Sequence, residues 1–297
     1  MTVITDRDVV DSVADALQFI SYYHPTDFVQ AVHRAYEMEQ SQAAKDALAQ
    51  ILINSRMCAM GKRPICQDTG IVTAFVDGGM EVRWETSKPL EELINEGVRL
   101  AYLHPDNKLR ASILEDPAGA RKNTKDNTPA VIHTRMVSGN TVDFRVAAKG
   151  GGSENKSKLA MLNPSESIVD WVVKTVPTMG AGWCPPGMLG IGIGGTAEKA
   201  MVMAKESLMD PVDIHELRER GPSTRAEELR LEIMEAVNKL GIGAQGLGGL
   251  TTVLDVKIMD YPTHAASLPV AMIPNCAATR HAHFELTGNG PVFQEAP

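Results

Sequence analysis

Apolar residues in the first 60 positions recur with the period of an amphipathic α-helix. Val13, Leu17 and Ile20 fall on one face of the segment 6–23, with polar residues opposite them. The same period continues to Met60, where Gly61 is placed to end the last helix. The sequence therefore predicts an all-helical beginning, with helices over residues 6–23, 25–39 and 42–60.

Alternation of apolar and polar residues begins after residue 70 and predicts strands. Pro129–Val137 and Thr141–Ala148 alternate well, and the turn residues Ser138–Gly139–Asn140 join them, so a β-hairpin is predicted there. The expected fold is α+β, a helical N-terminal region packed on a mixed β-sheet domain. The other predicted elements are strands over 71–76, 80–84, 251–259 and 267–273, and helices over 90–102, 165–175 and 224–240.

Composition and charge exclude several classes of protein. The chain has 297 residues and a formal net charge of −8, which argues against nucleic-acid binding because that function usually needs a basic face. No apolar run of about 18 residues exists, so no membrane span is expected. The first eight residues are polar and acidic, without the apolar core of a secretory signal, and this predicts a cytoplasmic protein.

The cysteines differ in their surroundings. Cys66, Cys184 and Cys276 each lie in a predicted loop near a proline, next to polar residues or glycine, whereas Cys58 lies inside a predicted helix. None forms a C-x-x-C pair, and disulfides are improbable without an export signal. Three dispersed thiolates would suit a [4Fe–4S] cluster that leaves one iron without a protein ligand. Taken alone, dispersed cysteines are more commonly buried structural thiols.

Two glycine-rich runs and a pair of histidines indicate other cofactors only weakly. Gly190–Gly195 and Gly241–Gly246 match G-x-G-x-x-G by letter, but neither has the strand–turn–helix context of a dinucleotide site. His281 and His283 follow Cys276 and would suit zinc, yet no second cysteine pair accompanies them.

Four segments carry polar residues whose role the local pattern leaves open. Cys66–Gly70 is either a site loop or a polar turn in which Asp68 forms an Asx-turn. The segment Lys149–Ser157, with three glycines, is either an anion-binding run of backbone amides or a flexible linker. Arg110, in a long irregular stretch, would bind an anion or lie solvated at the surface. His264, between two predicted strands, is either a proton-transfer group or structural.

Considered together, these segments resemble a known family. They are similar to the characteristic segments of class I (iron–sulfur) fumarate hydratases and of the related L-tartrate dehydratase alpha subunits. The resemblance covers essentially the whole chain, in order, and the combination of motifs is highly specific. The matching segments are Cys66–Gly70, Gly150–Lys156, Trp183–Gly187, Gly190–Gly195 and Asn275–Cys276.

The resemblance implies a cofactor and a domain organisation. It implies an oxygen-labile [4Fe–4S] cluster on Cys66, Cys184 and Cys276, carried by a domain over residues 1–287. Residues 288–297 are then expected to be a linker toward a C-terminal domain, or the end of a subunit. In one-chain members of the family a smaller C-terminal domain supplies further substrate-binding residues and a threonine proposed as base. A C-terminal domain or a beta subunit is therefore expected as a partner, together with a homodimer.

The resemblance also implies roles for individual residues. Gln67 and Asp68 match residues that touch a dicarboxylate substrate. Arg110 resembles an arginine that binds one carboxylate, and Gly151 resembles a backbone donor to substrate. His264 resembles a histidine that relays a proton with the aspartate at position 68.

The expected reaction is the reversible hydration of fumarate to (S)-malate. The same chemistry on L-tartrate, by a tartrate dehydratase alpha subunit, is the nearest alternative. A non-catalytic iron or oxygen sensor with a labile cluster is a third interpretation. Asp68, His264 and Arg110 favour catalysis over sensing, because a sensor has no need of an acid–base pair or a carboxylate-binding cation.

Overall fold

The computed structural model describes residues 2–292, and the three predicted N-terminal helices are confirmed in it to within one or two residues. Short 3₁₀ helices at Val176–Met179 and Ala244–Gly246 accompany the regular elements. In chain order the elements are β1 (Val3–Thr5), α1 (Asp6–Tyr22), α2 (Thr26–Met38), α3 (Gln42–Gly61), β2 (Ile71–Gly79), β3 (Arg83–Glu85), α4 (Leu90–Tyr102), β4 (Leu114–Glu115), β5 (Lys122–Asn123), β6 (Val131–Val137), β7 (Val142–Lys149), α5 (Gly151–Glu154), β8 (Lys158–Leu162), α6 (Ile168–Thr175), β9 (Gly187–Gly194), α7 (Ala197–Ser207), α8 (Ile214–Arg220), α9 (Arg225–Asn238), β10 (Val253–Tyr261), β11 (Leu268–Asn275) and β12 (His281–Leu286).

The chain divides into two units, each with its own sheet and core. Unit 1 comprises Met1–Pro25, Ser55–Gly150 and Arg280–Pro297, and unit 2 comprises Thr26–Asn54 and Gly151–Thr279. The four-stranded sheet of each unit is mixed and packed with helices, so the predicted α+β class is confirmed. None of the helices described for residues 2–292 has the length and apolar character needed to cross a bilayer.

The end of the predicted domain at residue 287 stays a prediction. Of the predicted linker, residues 288–292 are described, and the backbone N–H of Val292 donates to the Ser12 hydroxyl at 3.1 Å. Residues 293–297 lie outside the described part.

The sheet of unit 1 packs against α1 and α4. Its strand order is β12–β7–β2–β6, with β2 parallel to β6 and antiparallel to β7. Val13 and Leu17 of α1, Ile94 of α4 and Phe144 of β7 are fully or almost fully buried in one apolar cluster. The apolar stripe that predicted α1 is therefore the stripe that faces the core.

The predicted β-hairpin over residues 129–148 is wrong. Both strands form, but β2 lies between β6 and β7 and pairs with each of them. The Gly79 N–H donates to the Thr141 carbonyl, and the Met80 N–H donates to the Val137 carbonyl, both at 2.9 Å. A Cβ on Gly79 would lie 2.5 Å from the Gly139 carbonyl oxygen, so only glycine lets β2 end inside the connection.

The glycine-rich run after Cys184 forms β9, one of the two interior strands of the unit 2 sheet. The strand order is β10–β9–β11–β8, with β9 parallel to β10 and antiparallel to β11. A Cβ on Gly190 would lie 2.1 Å from the Ala204 carbonyl oxygen, and one on Gly192 would lie 1.9 Å from that of Ala200. The two glycines therefore let α7 pack directly on the backbone of β9.

The insertion of β2 between β6 and β7 can be tested with two neighbouring glycines. We expect Gly79→Ala to lower the free energy of unfolding by about 1–3 kcal/mol, because its methyl group would overlap the Gly139 carbonyl. Gly78→Ala is the matched control, since its nearest neighbour would be the Met136 sulfur at 3.6 Å, an ordinary contact. Urea unfolding of both variants measures the difference. Equal stability of the two variants would contradict the insertion of β2.

Candidate active site

The loop that carries Cys66 and Asp68 is held in unit 1 by hydrogen bonds to its backbone. The Asp68 carboxylate accepts from the Gly70 N–H at 3.0 Å, which forms the Asx-turn of the second of the two interpretations. The buried Tyr102 hydroxyl donates to the Thr69 carbonyl at 2.7 Å. Burial raises the pKa of Tyr102 to about 12, so this hydroxyl keeps its proton and remains a donor. The loop is therefore ordered before any ligand binds.

Arg110 lies beside the same loop. Its backbone carbonyl accepts a short hydrogen bond from the Thr69 hydroxyl, and its side chain is exposed. The irregular stretch that contains Arg110 is also attached to this loop near its C-terminal end, because the Asn127 side-chain amide donates to the Gly70 carbonyl at 3.0 Å. The structure thus brings Arg110 to the Asp68 loop within unit 1 and leaves its guanidinium accessible.

Arg280 belongs to this neighbourhood and was missed from the sequence. It is only 3% exposed, and its Nη1 donates to the Asp68 carbonyl oxygen at 2.6 Å. A single arginine directly before a strand belongs to no motif, so the sequence gives little reason to select it. The feature that could have identified Arg280 is its charge next to the alternately buried strand His281–Leu286.

Cys184 and Cys276 come together at one end of the unit 2 sheet. Cys184 precedes β9 and Cys276 follows β11, and these antiparallel strands pair Met188 with Asn275. The N–H of Ala277 donates to the Cys184 carbonyl at 3.0 Å, which joins the two cysteine loops directly. Two cysteines 92 positions apart by their numbers therefore share one small region.

The backbone at Cys184 is held in an uncommon conformation. Its φ is +56°, in the left-handed region that non-glycine residues rarely adopt. The following carbonyl, of Pro185, accepts from both the backbone and the side-chain amide of Gln245, each at 2.7 Å. Strained residues held by surrounding hydrogen bonds are typical of ligand-binding sites.

The triglycine segment is ordered, so the flexible-linker interpretation is wrong. Gly151 begins the short helix α5. A Cβ on Gly152 would lie 3.2 Å from the Gly182 carbonyl oxygen, and one on Gly182 would lie 3.5 Å from Cε of Lys156. The segment that contains Gly151 therefore lies against the turn that leads into Cys184.

His264 lies at the other end of the unit 2 sheet. It is exposed in the connection between β10 and β11, and its Nδ1 accepts from the Ala266 N–H at 3.1 Å. The eight residues of β11 separate it from Cys276, which corresponds to about 25 Å. Within unit 2 the structure does not bring His264 to the cysteines, and its pairing with Asp68 stays a prediction.

Comparison with known proteins gives the family of this chain. Residues 10–285 match the family described as Fumarate hydratase (Fumerase). The chain belongs to this family. It is 35% identical over 282 residues to a Methanocaldococcus jannaschii protein provisionally named L(+)-tartrate dehydratase subunit alpha, a match that covers 92% of this chain and 96% of that protein. It is 29% identical over 286 residues to the L(+)-tartrate dehydratase subunit alpha of Escherichia coli O157:H7, covering 94% of this chain and 92% of that protein.

Membership of the Fumarate hydratase (Fumerase) family confirms the resemblance inferred from the motifs. It makes the chain a member of a hydro-lyase family of the iron–sulfur type. Among residues 2–292, no group of three or more His, Cys, Asp or Glu side chains is arranged to hold a metal ion. Cys184 and Cys276 meet in unit 2, whereas Cys66 belongs to unit 1.

The chemistry of the cysteines fits the family's cofactor. Cys184 is exposed and Cys66 and Cys276 are partly exposed, so these thiols are open to metal and solvent. Cys58 differs, because it is buried and burial raises the pKa of its thiol. Thiolates are the ligands that iron–sulfur clusters require, and the three accessible cysteines match that requirement in kind.

These differences predict an order of thiol reactivity in the metal-free chain. We expect iodoacetamide to label Cys184 first and Cys58 last, with rates that differ on the order of tenfold or more, because the reagent attacks the accessible thiolate. Peptide mass spectrometry of a time course measures each rate. The same labelling in urea is the control, since unfolding should make the rates converge. Labelling of Cys58 as fast as Cys184 in the folded chain would contradict the described burial.

Proposed function

We propose that this chain is the cluster-binding, alpha-type component of an iron–sulfur hydro-lyase that reversibly hydrates fumarate to (S)-malate. The observation that carries the proposal is the hydrogen bond that joins the Cys184 and Cys276 loops. It joins the backbones of two cysteine loops that the sequence separates widely, which supports a ligand shared by both cysteines. The family match supports the same chemistry.

In this proposal Cys66, Cys184 and Cys276 hold a [4Fe–4S] cluster. The three thiolates leave one iron without a protein ligand, and when bound the cluster would supply a Lewis acid for a carboxylate and a hydroxyl group. Cys58 has no part in it, because its thiol is buried and its Sγ donates to the Pro64 carbonyl at 3.5 Å.

The other polar residues bind the dicarboxylate and move a proton. Gln67 is exposed next to Cys66 and is available to the substrate. Arg110 presents an exposed guanidinium, which suits bidentate binding of one carboxylate. Gly151, the first residue of α5, is the proposed backbone donor to the substrate. Asp68 is fixed through its own carboxylate and backbone, so it is oriented to exchange a proton, with His264 as its proposed relay partner.

A further component completes the proposed site. The M. jannaschii and E. coli relatives are named as alpha subunits, and the chain covers more than nine-tenths of each. A beta-type subunit, or a C-terminal domain in a longer protein, is therefore proposed to supply the remaining substrate-binding cations and the base. We also propose that the assembly contains two copies of this chain.

Dehydration of L(+)-tartrate is the second candidate function. It is favoured by the names of both relatives, one of them 35% identical to this chain. Tartrate and malate are both four-carbon hydroxydicarboxylates, so the residues proposed above would bind either one. A sensor without catalysis is a weaker candidate, because the loop holds Asp68 and Arg110 together.

Anaerobic reconstitution with iron and sulfide tests the proposed ligands. We expect a brown protein with broad visible charge-transfer absorbance, and we expect Cys66→Ser, Cys184→Ser and Cys276→Ser each to lose most of that absorbance and bound iron. Cys58→Ser is the matched control and should keep both. Loss of colour in Cys58→Ser alone would overturn the assignment of the ligands.

Activity measured with and without the partner tests the reaction. We expect the reconstituted 297-residue chain to be nearly inactive alone and to gain fumarate hydratase activity with its beta-type subunit or domain. Asp68→Asn should then lower kcat by about 10²–10⁴-fold, the range of a lost acid–base group. Asp106→Asn, an exposed aspartate of the same unit, is the control. Preference for L(+)-tartrate would select the second function, and full activity of the chain alone would contradict the need for a partner.

A further inference from the structure

Arg280 is a buried guanidinium with few partners. Only 3% of the residue is exposed, and its Nη1 donates to the Asp68 carbonyl at 2.6 Å. Its Nε and Nη2 are fully buried and have no hydrogen-bond partner among the protein groups of residues 2–292. A guanidinium has five N–H donors, so most of the hydrogen-bonding capacity of Arg280 is unused by the fold.

A second buried arginine shows how the same chain treats a structural cation. Arg230 of α9 is 8% exposed, and its guanidinium pairs with the carboxylates of Asp213 and Asp255 and donates to the Val256 carbonyl. Such pairing is what a buried charge normally requires. Within the described part of the chain, Nε and Nη2 of Arg280 have no hydrogen-bond partner, so the fold uses little of what this buried cation can donate. This points to a role for Arg280 outside folding.

The unused side of Arg280 faces the Asp68 carboxylate across a small space. A Cβ on the buried Gly150 would lie 3.4 Å from the Asp68 Oδ2 and 3.6 Å from the Arg280 Nη2. Both groups therefore border the place that the missing Gly150 side chain leaves open. The carboxylate and the guanidinium are therefore neighbours at this point of unit 1.

The pKa of Tyr102 is affected by the charges of both Arg280 and Asp68, so all three groups are neighbours. Burial chiefly raises the pKa of Tyr102 to about 12, the positive charge of Arg280 opposes that rise, and the negative charge of Asp68 adds to it. Both charges therefore act on the Tyr102 hydroxyl, which itself donates to the Thr69 carbonyl. Arg280 and Tyr102 thus hold two successive carbonyls of the site loop, those of Asp68 and Thr69.

We propose that Arg280 is a positioning residue for Asp68. Its Nη1 fixes the Asp68–Thr69 peptide, and its positive charge orients the nearby Asp68 carboxylate toward the substrate. This inference rests on the proposed function, because it assigns Asp68 to the reacting part of the site. It predicts that Arg280 serves catalysis more than stability, the reverse of Arg230.

The first test measures the loop without using the reaction. Amide hydrogen exchange of the peptide spanning residues 66–70 is compared in the wild-type chain, Arg280→Met, Arg280→Lys and Arg83→Met. Arg83 is an exposed arginine of unit 1 and provides the matched control. We expect faster exchange of this peptide in Arg280→Met, less acceleration in Arg280→Lys, and no change in Arg83→Met. The melting temperature of Arg280→Met should stay level or rise, because an unpaired buried charge is removed.

The second test uses the complete enzyme with its partner. We expect Arg280→Met to lower kcat about 10–100-fold, as loss of an orienting contact does, with KM changed far less, and Arg280→Lys to restore part of kcat. Wild-type exchange and wild-type kcat in Arg280→Met would overturn the proposal. The proposal would also be overturned if Arg280→Met increased amide exchange throughout the chain and greatly lowered the melting temperature, because Arg280 would then have a structural role.

The two tests separate this inference from the proposed function. If Arg280→Met fails to fold, Arg280→Lys decides, and wild-type loop exchange and kcat in that variant would overturn the positioning role. If the wild-type complex has no hydro-lyase activity, the proposed function fails while the exchange result still stands. A third outcome is an active wild-type complex in which Asp68→Asn is inactive and Arg280→Met is fully active. In that case only the positioning role of Arg280 fails.

Discussion

The pairing of β9 with β11 is the constraint on which the candidate site of unit 2 depends. These strands run antiparallel with Met188 opposite Asn275, so the segment before β9 must lie near the segment after β11. Cys184 and Cys276 lie in those two segments, and the Ala277 N–H donates across them to the Cys184 carbonyl. A shift of this register by even one residue would turn the buried side chains of both strands to the wrong faces and separate the cysteines.

Buried polar groups divide into two kinds in this protein. Around Arg230, Asp213, Asp255 and Lys257 form a network in which each charge meets an opposite one, and it fastens α8 and α9 to β10. Around Asp68 the bonds instead hold backbone carbonyls, and two of the three Arg280 guanidinium nitrogens have no hydrogen-bond partner among residues 2–292. The first arrangement serves the fold. The second keeps a loop rigid while leaving its side chains available, which is what preorganised sites require.

Features that depend on residues close together in sequence could be predicted, whereas features that depend on distant residues could not. The helices over 6–23 and 90–102 could be predicted because an apolar stripe is local and periodic. The β-hairpin was wrong because strand pairing depends on β2, some 60 positions away, and on the space that Gly79 leaves for it. The cysteines could be selected through motifs. Arg280 could not, because the group that it contacts, the Asp68 carbonyl, is 212 positions away in sequence.

The glycines of β9 have a consequence for how unit 2 forms. A strand with the sequence Gly187–Gly194 has little intrinsic β-propensity, because each glycine loses more conformational entropy on ordering than any other residue. Its order comes from neighbours, with α7 resting on the bare backbone at Gly190 and Gly192. We expect such a strand to order late, because the long-range contacts on which it depends form slowly. Cys184 and Cys276 would then come together only in a chain that has largely folded, and a metal centre that uses both would bind after that point.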